Sequence, residues 1–424
     1  MRFTSGRNST SNRSIQNRRK SNEIQHRRKA QNCTKKKPGS VNEVKSRNGV
    51  KSNPYCERKA KLSSNRLAYF VLIPTVVLIL TGLVMVFSAG SVIGMNMNVG
   101  GYRFFLQQAL WAVLGLILLV FFSRFDYHKL GKLSWPGVIL SIVLLAMVVA
   151  MGRMAGGARR WLILGGINLQ PTEIAKFTLI IFVAYTLSVK GKHIKKFSHL
   201  VIPVVLILLV EGALIMFQPD MGSAIVLALS VGLLLIVGGA RLSHIAILGA
   251  SGATASFVLM LAEPYRKVRL FSFINPWKSP RGYGYQVIQS LIALGTGHIS
   301  GLGLGMSRQK FLYLPNAHTD FIFAIIGEEL GLVGTLGVVF FVAILGYAGF
   351  MIARKAPDDL GRLLAVGITG LIVIQSIINM GGVTGLLPIT GVPLPLVSFG
   401  GSSLCVCMGC IGVLLNISAS CNKW

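Results

Sequence analysis

Acidic residues are scarce in this chain: 13 Asp and Glu stand among 424 residues, against 43 Lys and Arg. Charge of either sign is thin, at 13% of residues, while 52% are hydrophobic and the mean hydropathy is +0.63. That balance excludes an ordinary soluble globular domain, in which about a quarter of residues are charged. Cysteine is also sparse, and its six copies are poorly placed for chemistry. Cys33 and Cys56 lie near the N-terminus; Cys405, Cys407, Cys410 and Cys421 lie on or after the last apolar run. Cys407 and Cys410 have C-x-x-C spacing but no second ligand pair, so they read as small packing residues rather than a metal or redox centre. No cleavable signal peptide is expected ahead of the first apolar run.

Positive charge is what the chain has in excess, and about half of it is at one end. Residues 1–66 hold 19 of the Lys and Arg against Glu23, Glu43 and Glu57. This Ser/Asn-rich segment is nearly free of aromatics and cannot bury enough apolar surface to fold. It reads as a disordered basic cytoplasmic tail drawn to anionic membrane lipids. An organellar transit peptide shares that composition, and no specific nucleic-acid binding is expected.

Beyond the tail, apolar runs of about 20 residues, the length that crosses a bilayer core, fall near 67–88, 106–123, 134–151, 173–189, 200–217, 221–239, 243–262, 320–352, 362–382 and 398–417. The fold class is therefore an all-α polytopic membrane protein with about ten transmembrane helices. The domain reading is a tail at 1–66, a membrane domain at 67–417 with a large extracytoplasmic loop at 263–319, and a short cytoplasmic C-terminus at 418–424. Abundant glycine, at 48 residues, suits close helix packing in a membrane. Lys and Arg in the loops near 124–132, 190–196 and 354–362 place those loops and both termini in the cytoplasm. Arg153, Arg159 and Arg160 stand against that bias, which suggests an anionic ligand on the outer side.

Ten acids lie beyond the tail. Asp126, Asp358 and Asp359 belong to cytoplasmic loops, and Glu173, Glu211, Asp220, Glu263, Asp320, Glu328 and Glu329 lie within the membrane or toward its outer face. A carboxylate at membrane depth needs a partner or an aqueous cavity. Lys176, one turn after Glu173, is such a partner. Glu211 is expected to meet a neighbouring helix, and Asp220 to cap the helix that follows it.

The longest polar, patterned stretch is 275–331. Gly295, Gly297, Gly301, Gly303 and Gly305 carry no preceding strand and no ribose-binding acid, which argues against a nucleotide loop and for tight turns at the membrane surface. Val287, Ile288, Leu291 and Ile292 predict an amphipathic helix at the interface. Asp320 is expected to open a long helix, with Glu328 about 12 Å deeper and rotated about 80°, and Glu329 nearly opposite Asp320. One glutamate then faces a cavity and the other a neighbouring helix.

The ordered motifs from Phe87 to Ser403 closely resemble the SEDS family, the FtsW/RodA/SpoVE proteins of division, elongation and sporulation. They include Gly156-Gly157-Ala158-Arg159-Arg160-Trp161, Gln170-Pro171-Thr172-Glu173 with Lys176, and Gln218-Pro219-Asp220-Met221-Gly222. Asn275-Pro276-Trp277 follows, then Gly284-Tyr285-Gln286 with Gln289-Ser290. Tyr313-Leu314-Pro315, Ala317-His318-Thr319-Asp320-Phe321 and Glu328-Glu329-Leu330-Gly331 come next. Gly385-Leu386-Leu387-Pro388, Pro393-Leu394-Pro395 and Gly400-Gly401-Ser402-Ser403 complete the series. The tail and the loop after Gly282 look closer to the FtsW/SpoVE branch than to RodA.

The resemblance implies a membrane peptidoglycan glycosyltransferase that polymerises lipid II beside a class B penicillin-binding transpeptidase and other divisome or sporulation proteins. Glycan extension needs a general base for the acceptor hydroxyl and cations, or a divalent ion such as Mg or Mn, for the leaving pyrophosphate. No cofactor is otherwise implied. The family's expected catalytic aspartate falls at Ser279, and a hydroxyl is no base near neutral pH without a base of its own. Three readings stay open: another acid such as Asp320 or Glu263 substitutes, the family position matters less than supposed, or this copy is catalytically weak or inactive. Arg103, Arg159, Arg160, Gln170, Glu173, Lys176, Asp220, Gln289, Lys310, His318 and Glu328 are the substrate-binding candidates. A lipid II flippase and a non-catalytic scaffold for the transpeptidase are the rival functions.

Overall fold

The computed structural model describes residues 54–421 apart from 99, 156–157, 165–166, 191–196, 263–272 and 283. The tail at 1–53, Glu263 and the last three residues therefore lie outside the described residues. Each of the ten apolar runs falls in a helix. In chain order these are α1 (Pro54–Asn96), α2 (Arg103–Arg124), the short α3 (Tyr127–Lys132), α4 (Ser134–Met151), α5 (Pro171–Lys190), α6 (Phe197–Phe217), α7 (Met221–Val237), α8 (Leu242–Ala262), α9 (Tyr285–Thr296), α10 (Ile322–Lys355), α11 (Asp359–Val383) and α12 (Gly401–Ser420). Among the described residues, seven helices are long and apolar enough to cross a bilayer by length and composition, and Pro203–Phe217 and Met221–Val237 are shorter apolar helices. The last helix runs to Ser420, three residues past the expected boundary.

Between α4 and α5 the sequence reading missed a small antiparallel sheet: β1 (Arg153–Ala155), β2 (Ala158–Leu164) and β3 (Ile167–Leu169), in that order. Arg153 pairs with Trp161 and Ile163 with Asn168. The strands are three to seven residues long and glycines separate them in sequence, so no alternating run was long enough to register as a strand.

The helices are arranged by how much of each surface protein covers. In α11, 78% of the apolar window is buried, against 17% in α2. α11 is thus central, packing on α5, α7 and α10, while α2 lies along α12 and meets α1 near Phe104 and Phe105. Small residues set the close approaches. A Cβ at Gly349 of α10 would overlap the Thr369 hydroxyl of α11, and one at Gly412 of α12 would overlap the Leu119 carbonyl of α2. Such contact replaces the hydrophobic driving force that helices lack in lipid.

α10 departs from the expected single long helix. Asp320 is not part of it, and at Gly331 the backbone leaves the helical region, with φ 68° and ψ −161°. The portion after Gly331 is about 36 Å long at 1.5 Å per residue, one bilayer crossing. The excess length of the 320–352 run is therefore a separate pair of turns, Ile322–Leu330, rather than a projecting rod. α9 is amphipathic as expected, with part of its apolar face covered by protein. Val287, Ile288, Ser290 and Ala293 are buried, α9 packs on α10, and the Ser290 hydroxyl donates to the Val383 carbonyl at the end of α11.

Candidate functional site

The polar groups gather at the end of the bundle that carries residues 273–321, here called the loop end. Its central device is the break at Gly331. Breaking a helix frees amides and carbonyls that need partners, and the segment His298–Gly303 supplies them. Leu302 N donates to Glu328 O (2.9 Å) and Gly303 N to Glu329 O (3.0 Å), while Leu332 N and Val333 N donate to the carbonyls of His298 and Ile299 (3.0 and 3.3 Å). A Cβ at Gly297 or Gly301 would overlap the carbonyls of Gly327 or Glu329. Two of the glycines read as surface turns, Gly297 and Gly301, thus serve backbone-to-backbone contact at the break. Gly301, Gly303 and Gly305 also turn the chain, with φ of 81°, 104° and 79°.

Both glutamates before the break turn into this loop, which corrects the helical-wheel expectation. Glu328 accepts from the Ser307 hydroxyl (2.5 Å), Arg308 N (2.9 Å) and Gln309 N (3.3 Å). Glu329 accepts from the Ser88 hydroxyl of α1 (2.6 Å), Ser307 N (3.4 Å) and Lys310 Nζ (3.0 Å). Lys310 Nζ also donates to Gly305 O (2.5 Å) and Ser88 Oγ (3.0 Å). Glu328, Glu329 and Lys310 are buried. This knot ties α1, the loop and the start of α10 together. Neither glutamate is open to a substrate in this conformation.

A second ion pair lies in the core, where Lys176 Nζ meets Glu173 Oε1 and Gln375 Oε1 of α11, each at 2.8 Å. Gln375 Nε2 in turn donates to Pro393 O (3.0 Å), and Gln170 N to Ser402 Oγ (3.2 Å). Glu211 meets a neighbouring helix as expected, accepting from Ser141 of α4 (2.5 Å). Asp220 caps α7 by accepting from Ser223 N (3.4 Å). Arg160 is engaged with the carbonyls of Gln218 and Pro219, so it holds the β2 strand to the α6–α7 turn.

The remaining candidates are more open. Arg103 and Arg159 are exposed and Gln289 is half-buried. Lys278, Arg281 and Arg308 are exposed too, so the loop end carries exposed positive charge beyond Arg103 and Arg159. His318 sits between the rings of Phe104 (5.1 Å) and Phe399 (5.5 Å). Burial pushes its imidazole down to about 4, so it is neutral at pH 7. Ser279 ends a 3₁₀ turn at Pro276–Lys278, and its carbonyl accepts from Gly282 N and Gly284 N, both at 3.1 Å. Asp320 is half-buried beside Phe321 at the head of α10. Among the described residues no group of three or more His, Cys, Asp and Glu is placed to hold a metal.

The site candidates therefore divide. Glu328 and Lys310 share the knot, Glu173 and Lys176 share the core pair, and Arg160 and Asp220 flank one turn. Sequence reasoning missed Ser88, Ser307, Gln375 and Asn379, the last donating its side-chain amide to Asp320 O (2.9 Å) and Val392 O (2.7 Å), because a neutral side chain carries no signal until its partner is known. Gln108 is another. It donates to Ser398 O (3.2 Å) and accepts from Gly400 N (3.3 Å), which fixes the segment that packs on Thr319 and His318.

This architecture has close relatives. The sequence pattern of the FtsW/RodA/SpoVE cell cycle proteins matches residues 69–423. Stage V sporulation protein E of Bacillus subtilis (strain 168) is 41% identical over 350 residues, covering 82% of this chain and 96% of that one. A probable peptidoglycan glycosyltransferase FtsW of Geobacter metallireducens is 40% identical over 352 residues, covering 82% and 93%. Among solved structures, a chain of a peptidoglycan synthase complex that coordinates polymerization and crosslinking superposes with a TM-score of 0.67 at 27% identity, covering 83% of this chain and 97% of that one. The rod shape determining protein RodA of Thermus thermophilus superposes with a TM-score of 0.61 at 26% identity, covering 83% and 96%. With the fold, the motif series and the relatives in agreement along the membrane portion, this chain belongs to the FtsW/RodA/SpoVE family of cell cycle proteins.

Proposed function

We propose that this protein is a peptidoglycan glycosyltransferase that extends glycan strands from lipid II, its loop end facing out of the cell, its termini in the cytoplasm and a class B penicillin-binding transpeptidase at its side. The observation that carries the reading is coverage. The likeness to Stage V sporulation protein E and to proteins named as probable glycosyltransferases runs through the whole membrane portion. The peptidoglycan synthase complex among its structural neighbours supports a transpeptidase partner.

The chemistry fits the loop end. The acceptor hydroxyl must lose a proton as it attacks the donor anomeric carbon, and pyrophosphate must leave with its charge offset. Exposed Arg103, Arg159, Lys278, Arg281 and Arg308 supply positive field toward an anionic headgroup. The proton acceptor is the weak point. Ser279 holds no carboxylate, Glu328, Glu329 and Asp220 are buried and already hydrogen-bonded, and Glu263 is not described. Asp320 is the half-exposed carboxylate among the described residues at this end, and the reading makes it the group on which turnover depends.

The test is lipid II polymerisation by the purified protein with its transpeptidase partner, transpeptidation blocked. Glycan strands from the native chain, lost in Asp320→Asn, support the reading. No strands from the native chain, with strands restored in Ser279→Asp, instead make the protein a scaffold built on a glycosyltransferase fold.

A further inference from the structure

Three successive carbonyls lead into α10, those of His318, Thr319 and Asp320, and each is held by a donor from elsewhere in the chain. Phe399 N donates to His318 O (3.0 Å), Ser398 Oγ to Thr319 O (2.7 Å) and Asn379 Nδ2 to Asp320 O (2.9 Å). The donors belong to α11 and to the segment that joins it to α12, and both Ser398 and Asn379 are buried. Neither side chain is loose. Ser398 Oγ accepts from Leu394 N (2.8 Å), the Ser398 carbonyl accepts from Gln108 Nε2 of α2 (3.2 Å), and Asn379 Nδ2 also donates to Val392 O (2.7 Å). Pairing carbonyls is an ordinary demand of folding; what is particular here is which peptide units are held.

A peptide unit is planar, and the carbonyls of Thr319 and Asp320 belong to the two units that flank the Asp320 Cα. Holding both sets φ and ψ of Asp320, and with them the direction of its Cα–Cβ bond, so that χ1 and χ2 are the freedom left to the side chain. Asp320 precedes α10, which begins at Ile322, so no helical ladder does this for it. The Phe321 amide, in the second of those units, donates to Asn316 O over a long 3.4 Å. We propose that Ser398 and Asn379 are positioning residues for glycan extension, fixing the direction in which Asp320 presents its carboxylate. The inference rests on the reading above in which turnover depends on Asp320. A displacement near 1 Å at a reacting group can lower a rate about 10²-fold. Loss of either donor should therefore slow the chemical step and leave binding of lipid II nearly unchanged.

The test is a double-variant cycle in the lipid II assay, with the full chain, its transpeptidase partner and transpeptidation blocked. Ser398→Ala and Asn379→Ala should each lower kcat roughly 10- to 100-fold with KM within about twofold of native. Ser398→Thr keeps the hydroxyl and should recover most of that loss. Asp320→Glu already displaces the carboxylate by a methylene, so adding either alanine variant to it should cost little more, whereas a merely structural role multiplies the losses. Native kcat in both alanine variants, or losses that multiply, overturns the positioning role and leaves the reading of Asp320 standing. Native turnover in Asp320→Asn overturns that reading, and this inference with it. Where one alanine variant does not fold, the other carries the same cycle, since each donor holds a different peptide unit. Amide hydrogen exchange reads the clamp without turnover. Asn379→Ala should speed exchange at Phe321 and Ser398→Ala at Phe399, with the amides that bridge the Gly331 break unchanged. Native exchange at Phe321 and Phe399 in these variants overturns the inference even where Asp320→Glu is inactive.

Discussion

Glu173–Lys176 and Glu329–Lys310 are both buried lysine–glutamate pairs, at 2.8 and 3.0 Å, yet the chain builds them in different ways. The first joins residues three apart on one helix, and its reach to another element is through Gln375 of α11. The second joins a loop to a helix 19 residues later and draws in Ser88 from α1 and the Ser307 amide. One pair decorates a helix that the apolar pattern already specifies. The other replaces a helix–helix contact, because the loop that meets the break, His298–Lys310, has no regular structure to hold it. The difference teaches that a buried charge can be a local choice or a structural joint, and distance alone does not tell which.

Removing the lysine should be severe in both places. Lys310→Met and Lys176→Met each leave a buried carboxylate without its cation, at a cost of roughly 3–5 kcal/mol. Detergent-solubilised protein should melt many degrees lower in either variant. The double variants separate the pairs. Lys176→Met with Glu173→Leu should recover most of the loss, since a well-packed apolar pair can replace a buried ion pair. Lys310→Met with Glu329→Leu should not, because Ser88 and the Ser307 amide lose their acceptor as well. Equal rescue at both sites would erase the distinction.

The break at Gly331 carries the next largest effect. Its φ of 68° with ψ of −161° lies in a region open almost only to glycine. A Cβ there would also overlap Gly301 N and Ile299 O. Gly331→Ala should therefore cost roughly 1–3 kcal/mol from backbone strain alone. It should also speed amide hydrogen exchange at Leu302, Gly303, Leu332 and Val333, whose bonds bridge the break. Lower thermal stability with unchanged exchange at those four amides would mean the loop does not depend on the break.

These sites also mark what the sequence made legible. Ten apolar runs announced the helices, since a bilayer demands about 20 apolar residues whatever the packing. Glu173–Lys176 was readable because helical periodicity places positions three apart on one face. The same periodicity misplaced Glu328 and Glu329, because it was carried through a helix assumed unbroken from Asp320 to beyond Gly331. A glycine in a membrane helix is common enough that Gly331 gave no warning. Asn379 and Ser88 were invisible for a simpler reason: each matters only through a backbone carbonyl or a carboxylate far along the chain. The β1–β3 sheet was lost to its brevity.

The exposed cluster at the opposite end supplies the weakest case and the control for the other two. His128 Nδ1 lies 2.8 Å from Asp126 Oδ1, a distance like those of the buried pairs, and Nε2 lies 3.7 Å from Asp358 Oδ2. Here, however, the Asp126 and His128 side chains are 52% and 55% exposed, so water and salt screen the attraction. The backbone amide and side chain of His128 hold the Asp126 carboxyl below its usual value. A depressed carboxyl pKa contributes stability that is present above the unfolded value near 3.9 and is lost as pH falls through the lower folded value. Asp126→Asn should consequently change stability at pH 7 by less than about 1 kcal/mol, and the difference from the native chain should fade as pH drops through the lowered carboxyl pKa. Raising salt from 0.1 to 1 M should shrink it further, while the Lys176→Met and Lys310→Met losses stay nearly constant because those pairs are out of reach of counterions. A salt response as strong in the buried pairs as in this one would mean that water reaches them, and burial would cease to explain why the same distance matters so unequally across the molecule.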